Sequence, residues 1–167
     1  MLSQNGWVVL NAGQTRQWVI PDTGRWLRLA QGPAGFVLAH LALWFHKRIE
    51  PLDVDPWDDW GYAVRPIRGS STVISNHASG TAIDLNATKH PLGVRNTFTI
   101  DQAAEIRKRL AGRYDGCIRW GGDYQIRADE MHFEIDAGPA RILALADALD
   151  NSRGGQRVRF ANGGPSA

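Results

Sequence analysis

One long apolar segment limits the possible folds of this chain more than any other feature. Residues 36–49, FVLAHLALWFHKRI, place apolar side chains at helical spacing, and Pro51 ends the pattern. Short β-rich runs, separated by turn residues such as PDTG at 21–24, lie before and after this segment. Helices and strands that are interspersed with antiparallel-type turns are typical of the α+β class. We therefore predict an α+β fold with a small antiparallel sheet and flanking helices.

The other predicted elements are short. A second helix is expected over residues 101–113, with Thr99 or Asp101 as its N-cap. A last helix is expected over residues 140–149, directly after Pro139. The predicted strands lie within residues 7–10, 16–20, 25–29, 61–69, 82–85, 117–120 and 131–135. The sequence contains no internal repeat, so a repeat architecture is not expected.

The length of 167 residues is that of one domain. We predict a single domain over residues 1–151, in which residues 1–55 form an N-terminal elaboration. Residues 152–167, SRGGQRVRFANGGPSA, are polar and glycine-rich, and we predict that they form a flexible basic tail. The single cysteine, Cys117, excludes an internal disulfide framework and any structural zinc site built from several thiolates.

The charge balance and the hydropathy pattern narrow the range of partners. Nineteen Lys and Arg against seventeen Asp and Glu give a net charge of +2, which is too small and too evenly spread to predict nucleic-acid binding. No apolar run reaches the roughly 18 residues that a membrane span requires, so we expect no membrane insertion. The first residues lack the basic and apolar regions of a signal peptide, so we expect synthesis without one.

Of the five histidines, two lie where they could bind a metal. His77 is part of SNHASG, a loop of small residues that can turn sharply at its glycine. Asp84 follows within the apolar run AIDL, where an ionised carboxylate is costly to bury unless it pairs with a cation or a metal. The histidines interpreted as structural are His40 and His46, as partly buried helix residues, and His90, as an exposed loop residue.

His132 is the second histidine of interest and lies in an alternating segment, MHFEID at residues 131–136. Apolar side chains are expected on one face of this strand, and His132, Glu134 and Asp136 on the other. A polar row of one histidine and two carboxylates opposite an apolar row indicates a strand whose far face lines a cleft.

The spacing of these residues leaves two interpretations open. In the first, His77, Asp84 and His132 bind a metal together, because imidazole and carboxylate are the ligands that a catalytic zinc needs. In the second, Asp84 forms a salt bridge with a nearby arginine, and His132 is a hydrogen-bonded strand residue.

Two longer motifs carry a resemblance to a known family. Residues 75–84, SNHASGTAID, fit the pattern S-x-H-x-x-G-x-A-x-D without a gap. Residues 119–135, RWGGDYQIRADEMHFEI, contain a W-G-G-D turn followed by an acidic residue and H-F-E. Together they resemble the signature of the VanY-type zinc peptidases, which include D-alanyl-D-alanine carboxypeptidases and phage L-alanyl-D-glutamate endopeptidases. The resemblance covers roughly residues 61–136, the motif-bearing core, and implies a fold similar to that of Hedgehog domains and D-alanyl-D-alanine peptidases.

The resemblance implies a Zn²⁺ site and a general base. Zinc would be held by His77, Asp84 and His132, with an open position for water. The base of the family is an acidic residue three positions before the last ligand, and that residue is Asp129 in this chain. Glu130 is its neighbour and the alternative base, because many relatives use Glu at this role.

Further residues take roles by the same resemblance. The family uses an arginine before the first ligand to stabilise the oxyanion, and Arg65 and Arg68 are the two candidates. Arg65 is preferred, because its Arg-Pro sequence after an aromatic residue is similar to the Y-R-P form of D-Ala-D-Ala dipeptidases. Two further roles come from position in the sequence and not from the resemblance. Glu134 shares its strand face with His132 and is expected to orient a ligand imidazole, and Ser75 is expected to support the first histidine or the substrate.

We therefore expect a zinc metallopeptidase that hydrolyses a peptide bond in bacterial peptidoglycan stem peptides, as a cell-wall lytic enzyme of phage type. The alternative is a catalytically silent wall-binding or phage structural module on the same fold. We expect a monomer that reaches the cell wall after release or delivery by other components. Whether the enzyme acts as an endopeptidase or as a D,D-carboxypeptidase stays open at this point.

Overall fold

The computed structural model describes residues 1–67 and 69–164 and contains four α-helices and five strands within them. The helices are α1 (Pro33–Arg48), α2 (Ile100–Gly112), α3 (Pro139–Asp150) and α4 (Arg153–Ala161). The strands are β1 (Thr15–Ile20), β2 (Arg25–Ala30), β3 (Ala82–Asp84), β4 (Ile118–Trp120) and β5 (His132–Ile135). The predicted α+β class is confirmed.

The central element is α1, which the apolar run of the sequence predicted. Every residue from Ala34 to Phe45 is buried, so the helix is enclosed on all sides. It packs against β1 and β2 and also against α3 and α4. At its start, a Cβ on Gly35 would lie only 2.1 Å from the carbonyl oxygen of Ala30, so glycine allows the helix to approach the end of β2.

The strands form two separate antiparallel sheets. One is the hairpin of β1 and β2, with Thr15 opposite Ala30. The other has the strand order β3-β5-β4, so that β5 lies in the middle. On β5, Phe133 and Ile135 are fully buried in the core that α1 shares, which leaves the opposite face of the strand for polar side chains.

The C-terminal region corrects one prediction. Residues 153–161 form helix α4 rather than a flexible tail. The hydroxyl of Ser152 accepts a hydrogen bond from the amide of Gly155 at 3.0 Å and caps the helix. Val158 is completely buried, and the Arg159 guanidinium lies 4.0 Å from the ring centre of Phe36 in α1. The helix is therefore held by packing on α1, and the glycine-rich composition does not prevent it.

Two predicted strands are also wrong. Residues 7–10 form only an isolated bridge, between Val8 and Leu2. Within the described part of residues 61–69, no strand forms, and Pro66 makes a single bridge to Ile74. Proline has no amide hydrogen, so a regular ladder cannot continue through this position.

No helix in the described ranges is both long and apolar enough to cross a lipid bilayer.

Candidate metal centre

Three side chains that are distant in sequence meet in one buried cluster. One donor atom from each of His77, Asp84 and His132 lies within 4.8 Å of the other two. Asp84 is central, since its Oδ1 lies 3.2 Å from His77 Nε2 and 2.8 Å from His132 Nδ1. All three residues are buried, with exposures of 8% or less.

The sheet positions two of these residues. Asp84, at the end of β3, is the direct antiparallel partner of His132 at the start of β5. Directly opposed residues of an antiparallel pair bring their Cβ atoms to about 5 Å, which is a suitable spacing for a shared ion. Trp60 pairs with Asp84 on its other side, through backbone hydrogen bonds of 2.8 and 2.9 Å.

His77 is positioned by a short 3-10 turn, Asn76–Ser79. Ser75 precedes the turn, and its hydroxyl accepts a hydrogen bond from the amide of His77 at 3.3 Å. Gly80 ends the turn with a left-handed backbone at φ 63°, and a Cβ there would lie 2.4 Å from the amide nitrogen of Ala30. The sharp turn predicted from SNHASG is therefore present, and it brings His77 to the sheet.

The hydrogen bonds of the two imidazoles fit a metal site. His77 Nδ1 lies 2.7 Å from the carbonyl oxygen of Gly61, which only accepts, so this nitrogen donates and Nε2 is left with its lone pair toward Asp84. His132 Nε2 lies 3.0 Å from Glu134 Oε2, so Nδ1 is the nitrogen directed at Asp84. In a tetrahedral zinc site neighbouring donor atoms are roughly 3.3 Å apart, close to the spacings found here. The donor set and its orientation therefore fit Zn²⁺.

The electrostatics of the cluster reflect its crowded charges. Burial alone would raise the pKa of Asp84, but the imidazoles of His77 and His132 hold it well below its usual range. Burial would lower the pKa of His132, but hydrogen bonds from this ring to Asp84 and Glu134 raise it to about 10. The two carboxylates therefore favour positive charge at this position, which a proton or a metal ion that displaces it can supply.

Glu134 connects the cluster to residues that the sequence patterns did not single out. Arg119 Nε donates to Glu134 Oε1 at 2.8 Å, and the Tyr124 hydroxyl donates to the same oxygen at 2.6 Å. The amide group of Asn76 donates to Glu134 Oε2. Burial opposes ionisation, but hydrogen bonding to His132 and these donors lower the pKa of Glu134 to about 2. Glu134 is thus an ionised acceptor for His132, as the shared strand face predicted.

Asp129 and Glu130 are neighbours in sequence with different surroundings. Glu130 is 5% exposed and accepts hydrogen bonds from the amides of Asn96 and Thr97 at 2.7 and 2.8 Å, and from the Thr97 hydroxyl. Asp129 instead lines the cleft that also contains the three clustered residues. Its backbone is fixed, because its amide donates to the carbonyl oxygen of Gly121 at 2.9 Å. Of the two carboxylates, Asp129 is the one placed to meet a substrate.

A comparison with protein families supports the first of the two interpretations of the spacing, in which the three residues bind a metal. Residues 68–135 match the family described as D-alanyl-D-alanine carboxypeptidase. These residues, fewer than half of the chain, are similar to that peptidase family. A search of curated proteins gave no significant match, and a search of solved structures gave none either.

The cleft beside the cluster is open and is lined by both polar and apolar side chains. It has a volume of about 880 Å³ and lies over the cluster, with Arg65, Arg119 and Arg127 among its lining residues. Arg119 is already paired with Glu134, whereas Arg65 is exposed. Arg65 is therefore available at the cleft, and its role as oxyanion stabiliser stays a prediction. Arg68, the other candidate, lies outside the described residues.

The other three histidines lie outside the cluster. His40 is buried and His46 is partly exposed, as expected for helix residues. His90 is 1% exposed, so the prediction of a surface residue is wrong. Its ring stacks on Phe98 with 3.7 Å between ring centres, and Nε2 lies 3.1 Å from Glu50 Oε2. An aromatic stack and a carboxylate partner together account for its burial.

Proposed function

We propose that this chain is a zinc metallopeptidase that hydrolyses a peptide bond in bacterial peptidoglycan stem peptides. The observation that carries this proposal is the convergence of His77, Asp84 and His132 at the base of an open cleft that Asp129 also lines. The match of residues 68–135 to a D-alanyl-D-alanine carboxypeptidase family supports hydrolysis of a peptide bond and substrates related to D-alanyl-D-alanine.

The residues of the cluster supply a site for one metal ion. His77 Nε2, Asp84 and His132 Nδ1 would hold Zn²⁺, and Glu134 fixes the ring of His132 through Nε2. A zinc ion held there supplies Lewis acidity, which polarises a peptide carbonyl and makes hydroxide available near neutral pH. Two neutral imidazoles and one carboxylate would leave the site with a net positive charge, so this acidity is retained.

Asp129 is the proposed general base. Its carboxylate would take a proton from the attacking water and pass it to the departing amine, which requires hydrogen-bond reach in the substrate complex. Glu130 is a poor candidate for this task. Hydrogen bonds from Thr97 and from the amide of Asn96 outweigh the effect of burial and hold the pKa of Glu130 below its usual value. A carboxylate that is stabilised in this way accepts protons less readily.

Arg65 is the proposed oxyanion stabiliser, with Arg68 as the alternative. An arginine at the rim of the cleft provides a fixed positive charge where negative charge grows on the scissile carbonyl. The same charge suits the terminal carboxylate of a stem peptide. Both roles require the peptide to lie between Arg65 and the metal cluster.

We further propose that the enzyme acts on the bacterial cell wall as a lytic protein of phage type, which other components release or deliver. The mild basic charge of +2 supports encounter with an acidic wall polymer. We propose that it functions as a monomer.

A digest of purified peptidoglycan tests the activity and identifies the peptide bond that is cut. Purified peptidoglycan is incubated with the zinc-loaded protein, with and without a chelator, and the released fragments are identified by mass spectrometry. Soluble peptides that depend on zinc are expected, and the new termini distinguish an endopeptidase from a D,D-carboxypeptidase. If zinc binds but no wall type loses any peptide, the chain is a binding module and the proposal is wrong.

Two matched variants test the base. Asp129→Asn should retain zinc and lose about 10²–10⁴-fold in turnover, the usual contribution of general acid–base catalysis. Glu130→Gln is the control, since the substitution changes the adjacent carboxylate in the same way. If Glu130→Gln is inactive with zinc bound while Asp129→Asn is active, the base is Glu130.

A further inference from the structure

A second concave site lies between α1, the end of α2 and the start of α4. Its volume is about 390 Å³. It shares no lining residue with the cleft over His77, Asp84 and His132, which we call the metal cleft. Five cationic side chains line it: Lys47, Arg109, Arg113, Arg153 and Arg157. No acidic side chain of the described residues is part of its wall. We call this site the basic pocket.

The positive charge of the basic pocket is only partly balanced. Asp22 lies outside the pocket wall and pairs with Lys47 at 2.5 Å and with Arg157. Within the described ranges, Arg113 and Arg153 form no ion pair. Their guanidinium groups therefore face a small cavity without a carboxylate partner, and like charges that are brought together in this way favour a bound anion.

Arg109 is held in place but has an unused donor. Its guanidinium lies 5.3 Å from the ring centre of Trp44 and 5.7 Å from that of Tyr114, so aromatic faces fix its position. Its Nε is buried and makes no hydrogen bond to any described residue. Because Arg109 also lines the basic pocket, its fixed guanidinium adds a positive charge to the wall of this site.

We propose that the basic pocket binds a phosphate group of an anionic ligand. A terminal phosphate carries about −1.5 to −2 charges at pH 7 and three acceptor oxygens, and a phosphodiester carries one charge. Either group suits several guanidinium groups in one small cavity. Arginine recognises phosphate with pairs of parallel N–H donors. The volume of the basic pocket is at the small end for ligand sites, so it fits one phosphate ester rather than a large organic molecule.

Two sources could provide this group: a small free polyphosphate, or a phosphodiester polymer such as poly(glycerol phosphate). The polymer would hold the protein to a surface while the metal cleft stays accessible, because the two sites share no residue. Phosphate binding does not depend on the proposed peptidase activity, so either proposal can fail without the other.

The test is a calorimetric titration of the full-length, zinc-loaded protein with tripolyphosphate and, separately, with poly(glycerol phosphate). The double variant Arg113→Ala/Arg153→Ala should bind the active probe at least about tenfold more weakly, since hydrogen bonds to charged groups are lost. The control Arg48→Ala/Lys108→Ala removes the same charge from exposed residues outside the basic pocket. It should change the affinity by less than about twofold, because exposed charges are screened by salt.

The NMR signal of the His40 imidazole, which lines the basic pocket, shows whether the probe binds in this site. The signal should shift on addition of the probe in the wild type and in the control variant. Binding of tripolyphosphate alone supports a small ligand, and binding of the polymer supports a surface-bound one. The proposal is overturned if neither probe binds, if both double variants lose affinity equally, or if the His40 signal does not respond.

A thermal melt of each variant and cleavage of a soluble stem peptide serve as checks. Both substituted arginines are exposed, so the melting temperature should stay close to that of the wild type. Peptide cleavage should be unchanged in both double variants, because none of the substituted residues lines the metal cleft.

Discussion

The two sheets of the molecule are stabilised by different interactions. Around β1 and β2 the inward side chains are apolar, and Ile20, Leu27 and Leu29 are at most 3% exposed. Around β3 and β5 the buried side chains on one face are ionisable, and Asp84 and Glu134 are also at most 4% exposed. The first region depends on apolar packing and the second on paired charges. Substitutions in the two regions should therefore affect different properties.

The largest effect, on zinc affinity, is expected at Asp84, the central residue of the charged region around β3 and β5. Asp84→Asn keeps the size of the side chain but removes the charge that both imidazoles face. Zinc affinity should fall by more than about 100-fold, beyond the range for residues that only orient a ligand. The measurement is a competition titration with a chromophoric chelator. Asp136→Asn, an exposed residue just after the same sheet, is the control and should bind zinc normally. Equal affinities in the two variants would contradict the metal site.

The apolar region should respond in stability and not in metal binding. Leu41→Ala removes a completely buried side chain from α1, and the free energy of unfolding should fall by about 2–5 kcal/mol. Urea denaturation measures this change, and zinc stoichiometry at low urea should stay the same. Leu143→Ala alters the same residue type at a half-exposed position and should cost about 0.5 kcal/mol or less. Loss of zinc in Leu41→Ala below its unfolding transition would show that the two regions are not separable.

A smaller effect on zinc affinity is expected at Glu134, whose carboxylate lies next to His132. Glu134→Gln weakens the acceptor for His132 Nε2 and leaves Arg119 without its partner carboxylate. Zinc affinity should fall by about 10–100-fold, while the site still fills at high zinc concentration. Tyr124→Phe removes only one hydrogen bond to Glu134 and is the milder comparison. If Glu134→Gln binds zinc as tightly as the wild type, Glu134 does not orient the ligand.

The residues of the charged region could be predicted from the sequence because most of them lie in recognisable motifs. SNHASGTAID and MHFEI contain all three clustered side chains. Spacing could not show that they meet, since that depends on the pairing of Asp84 with His132 across the sheet. For the same reason the sequence did not indicate that Arg119 and Tyr124 contact Glu134. Arg119 is the cross-strand partner of Glu134, and no local pattern in the sequence indicates this register.

Other predictions failed where long-range packing overrides local composition. His90 lies between Lys89 and Pro91, a context typical of a surface loop, but Phe98 and Glu50 cover its ring. In the C-terminal region, glycine and basic residues predicted a loose tail. The structure uses Gly155 for a close approach instead, because a Cβ there would lie 2.0 Å from the carbonyl oxygen of Leu149.

The hydrogen bonds of the loop that carries His77 have a wider consequence. The carbonyl of Gly80 accepts from Ala30 at 3.1 Å, that of Ala78 accepts from Leu10 at 2.9 Å, and the side chain of Asn76 accepts from Asn5 at 2.8 Å. All three donors precede the segment that matches the family. A transplant of the two motifs into another host protein would leave these hydrogen bonds behind and free the loop that carries His77. The smallest segment that preserves this candidate metal centre is consequently longer than the two motifs, and must include residues 5–30, on which the loop rests.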